Sequence, residues 1–162
     1  MLNQLRLLLT QIANNLGDPQ KSAVEALNIL DQIVTERYGG SVTVERGGAE
    51  VEYVVEQSGG RETLAERRKT GKAQPFRCPK AIYDALVQVL VDAERPLPLD
   101  ELMEAVGKAI GDEPPEFQTR VPLRLWMQVQ PPLIVRNRAR YRPVEANTFA
   151  GTASDLWNSL KK

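Results

Sequence analysis

The residues with the clearest chemical potential are six arginines between positions 117 and 144, a segment with no aspartate, glutamate or lysine. A guanidinium group is planar and permanently charged, and its N–H groups match carboxylate or phosphate oxygens in pairs. These residues are Arg120, Arg124, Arg136, Arg138, Arg140 and Arg142, and the last four alternate along LIVRNRARYRPV. The pattern indicates either a surface that binds an anionic partner or the solvated face of a β-hairpin.

Charge is segregated along a chain whose total is neutral. Lysine plus arginine and aspartate plus glutamate number 21 each, yet residues 81–116 carry 9 acidic and 2 basic groups just before the arginine-rich segment. Such blocks predict separate acidic and basic faces, and a basic face is where nucleic acid or an acidic protein would bind. Some of the arginines could instead pair with the acidic segment.

The residue inventory disfavours an enzyme. The chain has no histidine and a single cysteine, so Ser-His and Cys-His nucleophile pairs and cysteine-based metal clusters are excluded. The carboxylates Asp100, Glu101 and Glu104 could serve an enzyme, but acidic residues in the first turn of a helix are favoured by the helix dipole. We therefore expect a non-catalytic protein without a cofactor or metal.

The N-terminal part predicts a two-helix plus β-hairpin module over residues 1–57. Leucine and isoleucine recur at helical spacing over residues 2–16, and a second apolar stripe follows Asp18-Pro19. Gly47-Gly48 then separates two alternating runs, which predicts a two-residue hairpin loop with Val44 opposite Val51 and Val42 opposite Tyr53. The glutamates on the other side are expected to be a solvated strand face, with binding of a cation or a basic partner as the alternative.

Residues 58–76 lack a sustained apolar stripe and predict a basic linker with a short helix around residues 62–69. Within it, Arg67, Arg68 and Lys69 could contact phosphates, or they could lie on a solvated connector. Cys78 follows the linker and is expected to be a small buried residue, because no histidine exists to form a thiolate pair.

Residues 77–146 predict the order helix, short strand, helix, helix, hairpin. The third helix is expected to begin after Thr119 as N-cap, which would place Pro122 in the first turn, where its missing N–H costs no helical bond. A hairpin loop at Asn137-Arg138 would pair Ile134 with Tyr141 on the core side. In the tail, residues 147–162, a short helix near Ser154 is expected to dock on the body or on another subunit.

The stretches ALVQVLVDAERPLPLDELMEAV and LIVRNRARYRPV resemble the winged helix-turn-helix domains of the HARE type. The likeness covers about residues 79–144 and implies a winged-helix domain there. Together with the module predicted from the residue pattern of the N-terminal part, the expected fold is α+β, an N-terminal ααββ module followed by a winged-helix domain. This sequence differs from the family in having Pro122, Pro131 and Pro132 around the third helix. No family resemblance covers residues 1–57.

The resemblance implies that the third helix enters the major groove of double-stranded DNA while the wing contacts the backbone or minor groove. Arg120, Arg124 and Gln128 would then face the bases. The wing contacts would come from the arginines in LIVRNRARYRPV, namely Arg136, Arg138, Arg140 and Arg142. DNA is preferred to RNA because the sequence displays no evident aromatic platform for single-stranded bases.

Two alternatives to a DNA-binding regulator remain at the level of sequence. Many winged helices serve as protein-interaction or assembly modules, here with the acidic hairpin as a second contact surface. A homodimer would suit both a symmetric DNA site and the apolar sides of the N-terminal module. No stretch approaches the roughly 20 apolar residues of a membrane helix, and a soluble cytoplasmic protein without membrane contact is the simplest expectation.

Overall fold

The computed structural model describes residues 40–69 and 74–161, and the fold in this part of the chain is α+β, as predicted. The helices expected within residues 1–38 lie outside the described residues. The strands are β1 (Val42–Arg46), β2 (Ala49–Ser58), β3 (Arg61–Arg68), β4 (Phe76–Pro79), β5 (Leu97–Pro98), β6 (Ile134–Asn137) and β7 (Arg140–Pro143). The helices are α1 (Lys80–Asp92), α2 (Leu99–Ile110), α3 (Glu116–Gln128) and α4 (Ala146–Ser159).

The first four strands form an antiparallel sheet in the order β1-β2-β3-β4. The predicted register of the first hairpin is confirmed, with Val44 paired to Val51 and Val42 to Tyr53. Both loop glycines, Gly47 and Gly48, have positive φ angles of 59° and 75°, which a residue with a side chain rarely adopts. The two-residue loop therefore fixes which strand residues face the core.

The prediction of a linker and short helix over residues 58–76 is wrong, because β3 and β4 occupy much of that segment. Gly59-Gly60 forms a second two-residue loop with φ angles of 59° and 76°, and Ser58 pairs with Arg61 across it. Strand β3 lies between β2 and β4 and is buried over residues 63–66. Hydrophobic periodicity does not identify this strand, because its buried centre is short and both of its ends are charged.

The predicted order of helix, short strand, helix, helix and hairpin is confirmed after β4. Strands β5, β6 and β7 form a second sheet in the order β5-β7-β6, with β7 in the middle. Helix α2 ends at a glycine, Gly111, whose φ of 80° lies in the left-handed region.

Helix α3 begins earlier than predicted. It follows Pro114-Pro115 directly and starts at Glu116, so Thr119 is a buried residue within the helix and not its N-cap. Pro122 consequently lies in the helix interior, where it removes one i→i−4 hydrogen bond. The prolines at 114 and 115 restrict the backbone before the helix and set this start.

Aromatic rings and aliphatic side chains from the first sheet and all four helices form one core. At its centre the ring of Tyr83 lies 4.9 Å from that of Trp126 and 4.7 Å from that of Trp157. The Tyr83 hydroxyl accepts a hydrogen bond from Trp126 Nε1 at 2.9 Å and donates one to the carbonyl of Ala153 at 2.7 Å. Helices α1, α3 and α4 are therefore joined both by ring packing and by these two hydrogen bonds, so the buried Tyr83 hydroxyl and Trp126 N–H each have a partner.

The C-terminal helix packs against the body, as expected, but it is longer than predicted and begins at Ala146. Its apolar residues Phe149, Leu156, Trp157 and Leu160 are all buried. The chain after it bonds to the first sheet, where Val55 N donates to Leu160 O at 2.8 Å. Trp157 is thus an intramolecular core residue. No helix in the described part of the chain has the length and apolar character needed to cross a membrane.

Candidate functional site

The arginine hairpin, which we define as β6, β7 and their loop, carries its four arginines on two faces and a tip. Arg136 pairs with Tyr141 on the inward face, with its guanidinium carbon 5.6 Å from the ring centroid. Arg140 and Arg142 project from the opposite face, and Arg138 lies in the loop. All four are exposed. The turn therefore divides the row of arginines between the two strands and the loop.

The loop of the arginine hairpin is one residue later than predicted. It consists of Arg138 and Ala139, with φ angles of 47° and 63°, and Ile134 pairs with Pro143 and not with Tyr141. Ile134 and Tyr141 nevertheless both lie in the core, because a register shift of two residues keeps each side chain on its original face. Two successive residues with positive φ are typical of a type I′ turn, which normally contains asparagine and glycine.

Replacing Ala139 by glycine is expected to stabilise the protein. Glycine adopts positive φ without the steric cost that alanine incurs, so the free energy of unfolding should rise by about 0.5–1 kcal/mol. Urea denaturation followed by circular dichroism measures the change. Ala109→Gly is the matched control: Ala109 is exposed within α2, where glycine should lower stability by about 1 kcal/mol. Equal losses in both variants would contradict the turn geometry.

A cleft of about 250 Å³ opens between the arginine hairpin, helix α3 and the end of β1. We name it the arginine cleft. Its lining residues are Arg46, Arg120, Leu123, Arg124, Met127, Gln128, Arg136 and Tyr141. Four guanidinium groups therefore converge from three separate elements. The volume is below the usual range for drug-sized ligands and suits a small group such as a phosphate.

Part of the positive charge in the arginine cleft is neutralised by Glu66 on β3. This carboxylate is only 5% exposed, and its Oε2 lies 2.7 Å from both Nε and Nη2 of Arg124. Arg46 Nη1 bonds its other oxygen at 3.2 Å. Arg120 pairs with Glu116 one turn earlier in α3. Four arginines and two glutamates leave a net charge of +2 at the cleft, with Arg136 outside any ion pair in the described residues.

A buried tyrosine completes this network. The Tyr53 hydroxyl lies 3.2 Å from Glu66 Oε2 and 3.2 Å from Gln128 Oε1, so its proton is donated within the network. Burial, and secondarily the negative charge of Glu66, raise the pKa of the Tyr53 phenol well above its usual value. The phenol therefore stays neutral, and the network acts as structural support for Arg124.

The structure places Arg120, Arg124 and Gln128 on the side of α3 that borders the cleft, but it does not leave all three free. Arg124 is held by Glu66 and Gln128 bonds Tyr53, because the first sheet lies against this side of the helix. The strands that lie here, β3 and β4, begin in the segment predicted as a linker, so the sequence gives no sign that this side of the helix is covered. Of the three, Arg120 is the residue whose side chain is engaged only by a neighbour in its own helix.

The three basic residues predicted as linker contacts are at the end of β3, and two of them are paired. Arg67 bonds Glu56, which also accepts from Arg77 Nε at 3.0 Å, and Lys69 Nζ lies 3.1 Å from Glu50. The glutamate row on β2 is thus largely neutralised by the neighbouring strands. Arg68 is exposed. These ion pairs make the end of β3 a poorer anion-binding surface than the arginine hairpin.

The structure agrees with the prediction for Cys78 but not with the prediction for the aromatic side chains. Cys78 is fully buried, as expected, and burial raises the pKa of its thiol, so it stays protonated and unreactive. By contrast, Phe76 and Phe117 are 47% and 43% exposed, with ring centroids 6.1 Å apart. The premise that the chain has no exposed aromatic platform is therefore wrong. Their separation along the chain gave no sequence signal that the two rings meet.

Comparisons with protein-family models, with curated proteins and with solved structures give no match for this chain. Its function must be inferred from the geometry itself. Chemically, the surface combines exposed guanidinium groups, a small cationic cleft and an exposed aromatic pair. Such a surface can bind phosphate groups and flat apolar rings.

Proposed function

We propose that this protein binds nucleic acid, with duplex DNA as the first substrate to test, through phosphate contacts from the arginine hairpin. The observation that carries the proposal is that the side chains of Arg138 and Arg142 are exposed and without partners among the described residues. Neither guanidinium group has an ion pair or hydrogen bond within the part of the chain that the structure describes. Arg140 adds a third exposed guanidinium, whose one bond there is to the Pro96 carbonyl at 3.4 Å.

The order of elements supports the proposal. A helix, a short strand, two helices and a hairpin, with the short strand paired to the last strand, is the order expected from the resemblance to winged helices. In such domains the hairpin contacts the DNA backbone or the minor groove. The arginine hairpin occupies the corresponding place in the chain. Arg136 extends its charge into the arginine cleft.

The geometry also revises how the bound DNA would be contacted. Because Arg124 and Gln128 are engaged by Glu66 and Tyr53, the proposal does not assign base reading to them. The remaining contacts, from the hairpin and Arg120, fall mainly on phosphates, which hold the duplex without reporting its sequence. A protein with weak sequence preference therefore fits better than the sequence-specific regulator that the resemblance implies.

Fluorescence anisotropy with a labelled duplex of mixed sequence tests the proposal. Each phosphate contact releases counterions, so three to five contacts should weaken binding by about 50- to 500-fold between 50 and 200 mM salt. Saturable binding at 50 mM salt with this steep loss is the expected result. Absence of binding at 50 mM salt would end the proposal.

One observation favours the alternative of a protein-interaction module. The outer side of α2 and the loop after it form an open groove of about 650 Å³. Its lining includes the apolar side chain of Met103 and four carboxylates, of Asp100, Glu104, Asp112 and Glu113. Lys108 also lines the groove and pairs with Glu104 at 2.6 Å, so the net charge of the lining is −3. A basic, partly apolar peptide segment would suit this groove. It lies on elements that contribute nothing to the arginine cleft, so mutations there separate the two functions.

A further inference from the structure

We propose that Phe76 and Phe117 form a stacking site for an unpaired base beside the arginine cleft. The preferred ligand would then carry unpaired nucleotides next to the duplex or strand that the arginine hairpin holds. This inference rests on the proposed nucleic-acid binding and specifies its substrate class. Nucleotide binding of this kind combines aromatic stacking for the base with positive charge for the backbone.

The two phenylalanines are unusual in their exposure. Every other aromatic side chain in the described residues is buried, including Trp126, Trp157 and Tyr83 in the core. Phe76 and Phe117 expose nearly half of their surface and meet at 44° between ring planes. The exposed part of each ring is apolar and flat, and every base has a π-face that can stack on such a ring without sequence preference.

The position of the pair links it to the cationic surface. Phe117, Arg120 and Arg124 are spaced by three and four residues in α3, so they lie on one side of the helix. The Arg124 guanidinium carbon is 5.8 Å from the ring centroid of Phe76. A base on the rings would therefore leave its phosphates near Arg120 and the mouth of the arginine cleft, where the net charge is positive.

Charge complementarity favours a nucleotide over a protein as occupant. The Arg124 guanidinium lies over the Phe76 ring, and Arg120 lies one turn along α3 from Phe117. Their carboxylate partners, Glu66 and Glu116, are already engaged in these ion pairs. A protein partner with an apolar surface would have to bury the two guanidinium groups, and it would need carboxylates placed to pair with them. An unpaired nucleotide supplies both the flat ring and the anion in one unit.

The test compares a blunt duplex with the same duplex carrying a five-nucleotide single-stranded tail, in deoxyribose and ribose forms. Wild-type protein should bind the tailed form about 5- to 150-fold tighter than the blunt form, the range that stacking of one base gives. The double variant Phe76→Leu with Phe117→Leu keeps apolar volume but loses stacking. It should bind both forms equally and keep blunt-duplex affinity within about twofold.

A matched control and a direct readout make the outcome specific. Val91→Ala shortens an exposed apolar residue on α1, away from the cleft, and should change neither affinity. A 2-aminopurine base in the tail should lose fluorescence when it stacks in the wild-type complex and keep it with the leucine variant. Tighter binding of the tailed duplex than of the blunt duplex supports the inference whether the tail contains deoxyribose or ribose. Comparison of the two tails shows which sugar is bound more tightly.

Two results would overturn the inference. Equal wild-type affinity for blunt and tailed duplexes removes its basis while leaving the proposed function intact. A tail preference that survives in the leucine variant, whose folding is checked by thermal denaturation, shows that the bases bind elsewhere. If no ligand binds at 50 mM salt, the proposed function fails and the stacking site fails with it.

Discussion

Reversal of two exposed arginines, in the variant Arg138→Glu with Arg142→Glu, is expected to weaken duplex binding by about a hundredfold or more at 100 mM salt. Both guanidinium groups lack partners in the described residues, so their loss removes phosphate contacts without breaking an internal bond. The added carboxylates also repel the backbone. Anisotropy titration at fixed salt measures the change, and unaltered circular dichroism shows that the hairpin is still folded.

The matched control reverses the same number of charges elsewhere. Arg61 and Arg68 lie at the two ends of β3 and are exposed. Arg61→Glu with Arg68→Glu should reduce binding by less than about tenfold, because these residues lie outside the arginine hairpin and only the overall charge changes. If the control loses as much affinity as the hairpin variant, binding is driven by overall charge and the assigned surface is wrong.

Removal of the buried carboxylate, in Glu66→Ala, is expected to lower the free energy of unfolding by about 2–4 kcal/mol. The variant leaves the largely buried guanidinium of Arg124 without its anion, and breaking one partner of a buried ion pair is strongly destabilising. Arg46 is 43% exposed and contributes less, because water replaces its lost partner. Urea denaturation monitored by tryptophan fluorescence measures the loss.

Glu56→Ala is the control for this prediction. Glu56 also bonds two arginines, Arg67 and Arg77, but these are 40% and 38% exposed. Its removal should cost about 0–1 kcal/mol, as for surface ion pairs. Similar losses for the two glutamates would show that burial of Arg124 does not set the stability of the network.

The parts of the fold that follow from local patterns could be predicted from the sequence. Gly47-Gly48 and strict alternation fixed the register of the first hairpin, and apolar spacing located helices α1 and α2. The same signal was present at Gly59-Gly60 and could have located β3. The strand that follows contains few apolar residues and has charges at both ends, so hydrophobic alternation does not identify it.

The site depended on contacts that sequence patterns do not encode. Glu66 meets Arg124 across 58 positions of chain, and Tyr53 meets Gln128 across 75. Hydrophobic periodicity indicates which face of each helix or strand is buried, but it does not indicate which elements pack against each other. The loop of the arginine hairpin lies one residue later than predicted. Arg138 and Ala139 adopt positive φ here, although asparagine is the residue type in this stretch that favours it.

The dependence of duplex affinity on salt tests the central claim most directly, since it counts the phosphate contacts that individual arginines make. Wild-type protein should give a slope of log affinity against log salt of about −3 to −4, and Arg138→Gln with Arg142→Gln should reduce its size by about 2. This result would assign the arginine hairpin to the nucleic-acid backbone. Equal slopes for the two proteins, or no binding by the wild type, would contradict it.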